Sequence, residues 1–186
     1  MLVNAKHYSL AEQWRFLRIL NSEKLDLMHF THFNAPFFYR RPSIVTIHDL
    51  TLNFYPGKKM AGSWHRAAYH LTINSIVRRA KKIIAVSQHT KKDITDILKV
   101  PANKITVIHE GVNHMFHRIS DPVLIAEFLK KNDLPRPYIL YTGVWRSHKN
   151  LVNLIKAFAI LKHQYGFNGS LVITGKDDPW YQEVKQ

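Results

Sequence analysis

Six short apolar runs punctuate the chain: LDLMHF (25–30), SIVTIHD (43–49), KIIAVS (82–87), KITVIHEG (104–111), YILYT (138–142) and SLVIT (170–174). Their length and their content of β-branched and aromatic residues favour extended backbone. Helical patterns lie between them. Ser9 to Leu20 opens on Ser9-x-x-Glu12, a capping-box pattern, and carries Leu10, Trp14, Leu17, Ile19 and Leu20 along one face. LTLNFYPGKK reads as a loop with a Pro-Gly turn. Met60 to Lys82 reads as one long helix closing on RRAKK, cations that suit the negative end of the helix dipole. Ser87 caps a helix through Leu98. Asp121 followed by Pro122 supplies an N-cap and a first-turn proline for a helix to about Lys131. Lys149 to Gln164 forms another, and Pro179 is placed to begin a last one. Strands alternating with helices specify an α/β fold, parallel sheets with flanking helices. Val112 to Ser120 has no periodic pattern, so the expected boundary separates residues 1–115 from 116–186.

The chain's 186 residues suffice for one ordinary domain or two small ones, and a 46% hydrophobic content argues against disorder. Cysteine is absent, which excludes disulfides and thiolate metal sites. No apolar run reaches the roughly 18 residues that span a bilayer, and MLVNAKHYSLAEQ has no apolar signal core. The expectation is a soluble cytoplasmic protein, peripheral at most to the inner face of a membrane. The formal charge is +14, with 27 Lys and Arg against 13 Asp and Glu. Such an excess suits an anionic partner: nucleic acid, an acidic membrane surface or nucleotide phosphates. VRRAKKI (77–83) is either a solvated helix end or a contact for acidic lipid. Nucleic acid is disfavoured, because the basic residues are dispersed and no helix-turn-helix, RNA-recognition or zinc-finger signature is present.

In open parallel sheets, ligands bind outside the carboxyl ends of the strands. His29 and His32 follow the first run, and His48 and Asp49 end the second. Ser87 ends the third, and His109 and Glu110 the fourth. Gly143 to Lys149 follow the fifth, and Gly175 to Asp178 the sixth. Gly143 lets the chain leave its strand in a conformation that a side chain resists. The turn then delivers Arg146, His148 and Lys149 to a helix start, where unpaired N–H groups already favour an anion. A lysine there opposes the positive dipole end, a conflict that a bound phosphate removes; the alternative is that Lys149 extends into water. His48 is suited to hydrogen-bond a sugar hydroxyl or meet developing charge, and Asp49 either orients it or caps the next turn. His29 and His32 lack an identifiable third ligand, so no metal site is expected. Phe30, Phe33, Phe37, Phe38 and Tyr39 surround them, as core or as an acceptor wall.

Taken in order, VTIHDL, AKKIIAVSQHTKKDI, NKITVIHEGVN, YILYTGVWRSHKNLVNLIKAF and LVITGKDD resemble the bacterial group 1 glycosyltransferases, glycosyltransferase family four. YSLAEQ and DLMHFTHFNAPFFYRRP resemble its mannosyltransferase-like subset, which builds cell-surface polysaccharide. The resemblance implies the GT-B architecture, two Rossmann-like domains facing a cleft. Residues 1–115 would then belong to the acceptor-side domain and 116–186 to the nucleotide-sugar donor domain. It further implies transfer from a nucleotide-diphosphate sugar, GDP-mannose being the candidate, to a glycan or lipid-linked acceptor. Anomeric retention is implied, with no cofactor and no metal. Lys149 matches the family lysine at the donor diphosphate. His148 stands where many members carry arginine, leaving Arg146 to substitute. His48 matches the histidine near the transferred sugar, Ser87 the strand-to-helix turn lining the cleft, and His29, His32 and Asp49 fall on the acceptor side. The family's glycine-rich first turn would precede residue 1, and its donor-binding glutamate stretch would follow residue 186. The expectation is therefore a central piece of an enzyme, inactive alone and prone to self-association through open sheet edges. A non-catalytic nucleotide-sugar binding or assembly module is one alternative, and a basic nucleic-acid-binding protein is the other.

Overall fold

The computed structural model describes residues 9–56, 62–176 and 184. The chain divides into two compact units, Met1–Gly111 and Val112–Gln186.

The first unit holds β1 (Met28–Phe30), β2 (Ser43–Ile47), β3 (Lys82–Ala85) and β4 (Ile105–Val107), all parallel and in the order β1-β2-β3-β4. Register aligns Phe30, Val45, Ile83 and Ile105 in one row across the sheet. All four are buried. Ile47 and Ala85, two residues further along, are also buried, because alternate residues share a face. Right-handed crossovers that step in one direction keep returning to the same side of a sheet. That side receives Leu20 from α1 (Leu10–Ser22), Ile73 and Ile76 from α3 (Ser63–Arg79), and Ile94 from α4 (Gln88–Leu98), all within one apolar cluster. Burying each isoleucine is worth about 2 kcal/mol. The opposite face carries His29, Ile44, Thr46 and Ile84, which stay exposed or half-buried.

Local chemistry explains the element ends. The Ser9 hydroxyl accepts from the Glu12 N–H at 3.1 Å and starts α1. Leu10 and Trp14 on the expected apolar face are nevertheless exposed, so that face is only partly used. The segment expected as a loop after β2 contains a short helix, α2 (Thr51–Phe54). The Asp49 carboxylate accepts from the Thr51 N–H at 2.8 Å, which closes a turn that four residues extend. The Pro-Gly turn and the start of the expected long helix fall partly in 57–61, outside the described residues. That helix ends at Arg79 rather than Lys82, because Ala80 is extended and the Lys81 N–H already donates to Ser43 O at 2.7 Å.

In the second unit, α5 (Pro122–Lys131) starts where Asp121 accepts from the Val123 and Leu124 N–H groups. β5 (Tyr138–Thr142) pairs in parallel with β6 (Ser170–Thr174). Between them runs α6 (Leu151–Tyr165), which ends on Gly166 at φ +66°. Leu151 is the fully buried side chain among the described residues of this unit, and Ile139 and Leu140 are exposed. The helix expected from Pro179 lies outside the described residues. No helix among the described residues is long and apolar enough to cross a membrane.

Candidate functional site

The carboxyl rim of the first sheet gathers His48, Ser87, His109 and Glu110 just past the ends of β2, β3 and β4. His48 is held on both sides. Its Nε2 donates to the Thr31 carbonyl at 2.8 Å, and its Nδ1 lies 2.7 Å from a Glu110 carboxylate oxygen. Both neighbours are acceptors, so both contacts are hydrogen bonds only when the ring carries two protons. The side chain remains 43% exposed and the Glu110 side chain 63%, so the pair is open to solvent and to a ligand. The His32 ring lies 6.3 Å away in a stacked orientation. The Thr90 hydroxyl, first turn of α4, donates to the His48 carbonyl at 3.1 Å. Thus β2's end is tied to β4's end and to the helix that leaves β3.

Four other sequence candidates in the first unit are engaged locally. The Ser87 hydroxyl accepts from the Thr90 N–H at 3.0 Å, which makes it the N-cap of α4. The Asp49 carboxylate closes a turn onto the Thr51 N–H, at the first residue of α2, rather than orienting His48. His29 Nε2 lies 2.9 Å from the Thr46 hydroxyl on the uncovered sheet face, and His32 Nδ1 accepts from the Asn34 N–H at 3.2 Å. Among the described residues no group of three or more His, Cys, Asp or Glu is placed to hold a metal ion. Ser87→Ala is expected to cost about 1 kcal/mol of stability through loss of the cap, and Ser87→Asp to retain most of it. Urea midpoints of the three proteins check this.

The second unit carries the other constellation. Gly143, at φ +152°, ends β5 and donates from its N–H to Thr174 O at 3.2 Å. The Trp145 N–H then donates to Lys176 O at 3.0 Å, so the turn stays pinned beside β6. The indole N–H of Trp145 is buried with no acceptor among the described residues. Ser147–Lys149 form one turn of 3-10 helix, and Asn150 adopts the left-handed conformation at φ +57°. α6 therefore begins at Leu151 rather than at Lys149, as the sequence pattern alone had implied. No side chain caps α6. Its first-turn N–H groups and positive dipole end are left to an outside acceptor. Arg146 and Lys149 sit exposed immediately before this helix start, neither with an ion-pair partner among the described residues; His148 is half-buried.

A protein-family model, Glycosyltransferase Family 4, matches residues 2–116. The chain belongs to glycosyltransferase family 4. Among curated proteins, the family 4 chain is 25% identical over 166 residues to the O-antigen chain mannosyltransferase RfbU of Salmonella typhimurium, covering 89% of this chain and 41% of that protein. It is 26% identical over 180 residues to an uncharacterized glycosyltransferase of Methanocaldococcus jannaschii, covering 90% of this chain and 44% of the relative. The chain thus spans less than half the length of the curated relatives it matches. A glycosyltransferase from Rickettsia africae aligns in structure over 99% of this chain and 56% of its own, with a TM-score of 0.49 at 18% identity.

Sequence reasoning placed Glu110 on the rim but gave it no task. It is 62 positions from His48, and only parallel pairing through β3 brings the two together. Thr90 gives no signal in the sequence, because a threonine inside a helix carries no pattern of its own.

Proposed function

We propose that these two units belong to a retaining glycosyltransferase that moves a sugar from a nucleotide-diphosphate donor to a glycan acceptor. In this reading the first unit is part of the acceptor-side domain and the second part of the donor domain. The observation that carries it is the helix start of α6: uncapped, preceded by exposed Arg146 and Lys149, with Lys149 unpaired among the described residues. A cation opposed to the positive end of a helix is unfavourable without an anion to satisfy both. A diphosphate satisfies both. As the bond to the sugar breaks, negative charge grows on the departing diphosphate. Lys149, Arg146 and the first N–H groups of α6 stabilise that charge where it develops. These groups supply the countercharge, and the reading requires no metal. His48, fixed by Thr31 and Glu110, is the first unit's candidate to contact the transferred sugar. The name of the Salmonella relative, an O-antigen chain mannosyltransferase, supports mannose as the sugar moved and a growing polysaccharide as acceptor; GDP as the carrier is part of the proposal.

Lys149→Ala is expected to weaken GDP binding by about 10- to 100-fold, the worth of one or two charge-assisted hydrogen bonds. Lys149→Arg is expected to keep most of the affinity. Calorimetric titration of the folded proteins with GDP reads both. Equal affinity in wild type and Lys149→Ala, or no GDP binding at all, removes the basis for this reading.

A further inference from the structure

The two contacts of His48 leave its ring with no N–H to offer a ligand. Nε2 donates to the Thr31 carbonyl at 2.8 Å, and Nδ1 lies 2.7 Å from the Glu110 carboxylate. An imidazole has two ring nitrogens and no third donor. For His48 to hydrogen-bond a sugar, one of these partners has to yield. The Thr31 carbonyl is the less free of the two, because it belongs to the backbone directly after β1, which pairs with β2. Glu110 is a side chain, 63% exposed, with no Lys or Arg ion-pair partner among the described residues. An ion pair this open to solvent contributes little, so parting it costs little.

Topology sets where the two side chains meet. β3 lies between β2 and β4, so side chains from strand ends about 10 Å apart reach each other across the end of β3. The groups at that end are engaged locally: Ser87 caps α4, and the Val86 carbonyl accepts from His109 Nδ1 at 3.1 Å. The second Glu110 oxygen has no hydrogen-bond partner among the described residues. The pair therefore spans this part of the rim with a donor at one end and a carboxylate with spare acceptor capacity at the other.

Those opposite roles decide what fits between them. The entering atom has to accept from the ring and donate to Glu110, and a hydroxyl does both. A phosphate oxygen only accepts, and the carboxylate repels it. An ammonium only donates, and the doubly protonated ring repels it. Water also does both, and a sugar hydroxyl that reproduces its two bonds replaces it. One bridging oxygen lengthens the separation from 2.7 Å to about 5 Å, two hydrogen bonds end to end. A rotamer change in an exposed glutamate covers that difference.

We infer that a saccharide hydroxyl inserts between His48 Nδ1 and Glu110, accepting from the imidazolium and donating to the carboxylate, so that Glu110 is a specificity-determining residue for the sugar. This role rests on the sugar-transferring function proposed above, and its test is separable because it reads saccharide binding and not diphosphate binding. The full chain is titrated with methyl α-mannopyranoside by NMR, and with GDP-mannose and GDP by calorimetry. Glu110→Gln keeps the size of the side chain and removes its charge. It is expected to cost about tenfold in affinity for the ligand whose sugar occupies the rim. That ligand is the mannoside if the hydroxyl belongs to an acceptor, and GDP-mannose if it belongs to the transferred sugar; in both cases affinity for GDP is unchanged. Asp96→Asn removes another exposed carboxylate, one paired with Lys92, and is expected to alter none of the three affinities. Analogues of the affected ligand with one hydroxyl replaced by hydrogen or by fluorine locate the bridge. At one carbon both replacements are expected to cost the wild type about tenfold, because neither donates, and to cost Glu110→Gln nothing further. Circular dichroism confirms that each variant is folded. Unchanged affinity of Glu110→Gln for both saccharide ligands, an equal loss for GDP, fluorinated analogues that bind as tightly as the hydroxyl forms at every position, or no saccharide binding by the wild type overturns the inference.

Discussion

Gly175→Ala is expected to unfold the second unit's sheet. A Cβ at this position would overlap the Gly143 carbonyl oxygen and sit 2.7 Å from its carbonyl carbon. The obstacle is backbone, so no side-chain rotation relieves it. Gly175 also holds φ at +121°, a conformation that L side chains rarely adopt. Overpacking costs roughly 1–3 kcal/mol and strain of this kind of order 1–3 more. The affected element is a two-stranded sheet, and such sheets are marginal in water. Leu151 is the one fully buried side chain described in the unit, so little reserve is available. Amide hydrogen exchange checks this: protection in β5 and β6 is lost while that of β2 and β3 persists. Retained protection in β5 shows that the carbonyl of Gly143 can move aside.

Ile73→Ala carries the second large effect, in the first unit. Ile73 is fully buried on α3 and belongs to the cluster with Val45, Ile47 and Ile83. Removing its outer carbons from a close-packed site leaves a cavity, and such truncations cost about 2–5 kcal/mol. That is a large share of the roughly 5–15 kcal/mol that holds a domain together. The urea midpoint of the first unit, read by exchange protection in β2 and β3, is expected to fall accordingly. Ile73→Val at the same site is expected to cost only about 1 kcal/mol. A midpoint unchanged by Ile73→Ala means that α3 is not anchored by this face.

The elements show what could be read in advance. β5 and β6 fall where their β-branched and aromatic runs begin and end, and Asp121-Pro122 and Ser87 start their helices as their side chains dictate. These features are written in a few adjacent residues. α2 was not legible, because a four-residue helix nucleated by one aspartate has no periodicity to detect. The late start of α6 depends on one left-handed asparagine, Asn150, a conformation that composition does not announce. For the site, residue types and rim positions were legible, but allegiances were not. Which way Asp49 turns is a local choice that the residue types leave open, and that Glu110 holds His48 is decided by the pairing of strands far apart in sequence.

The tie between His48 and Glu110 has a consequence at the seam of the chain. Glu110 adjoins Gly111, the last residue of the first unit. A hydroxyl that displaced its carboxylate from the imidazole would free the tether just where the polypeptide departs for its next module. Occupancy of that histidine and the freedom of the departing strand of backbone are then two readings of one latch.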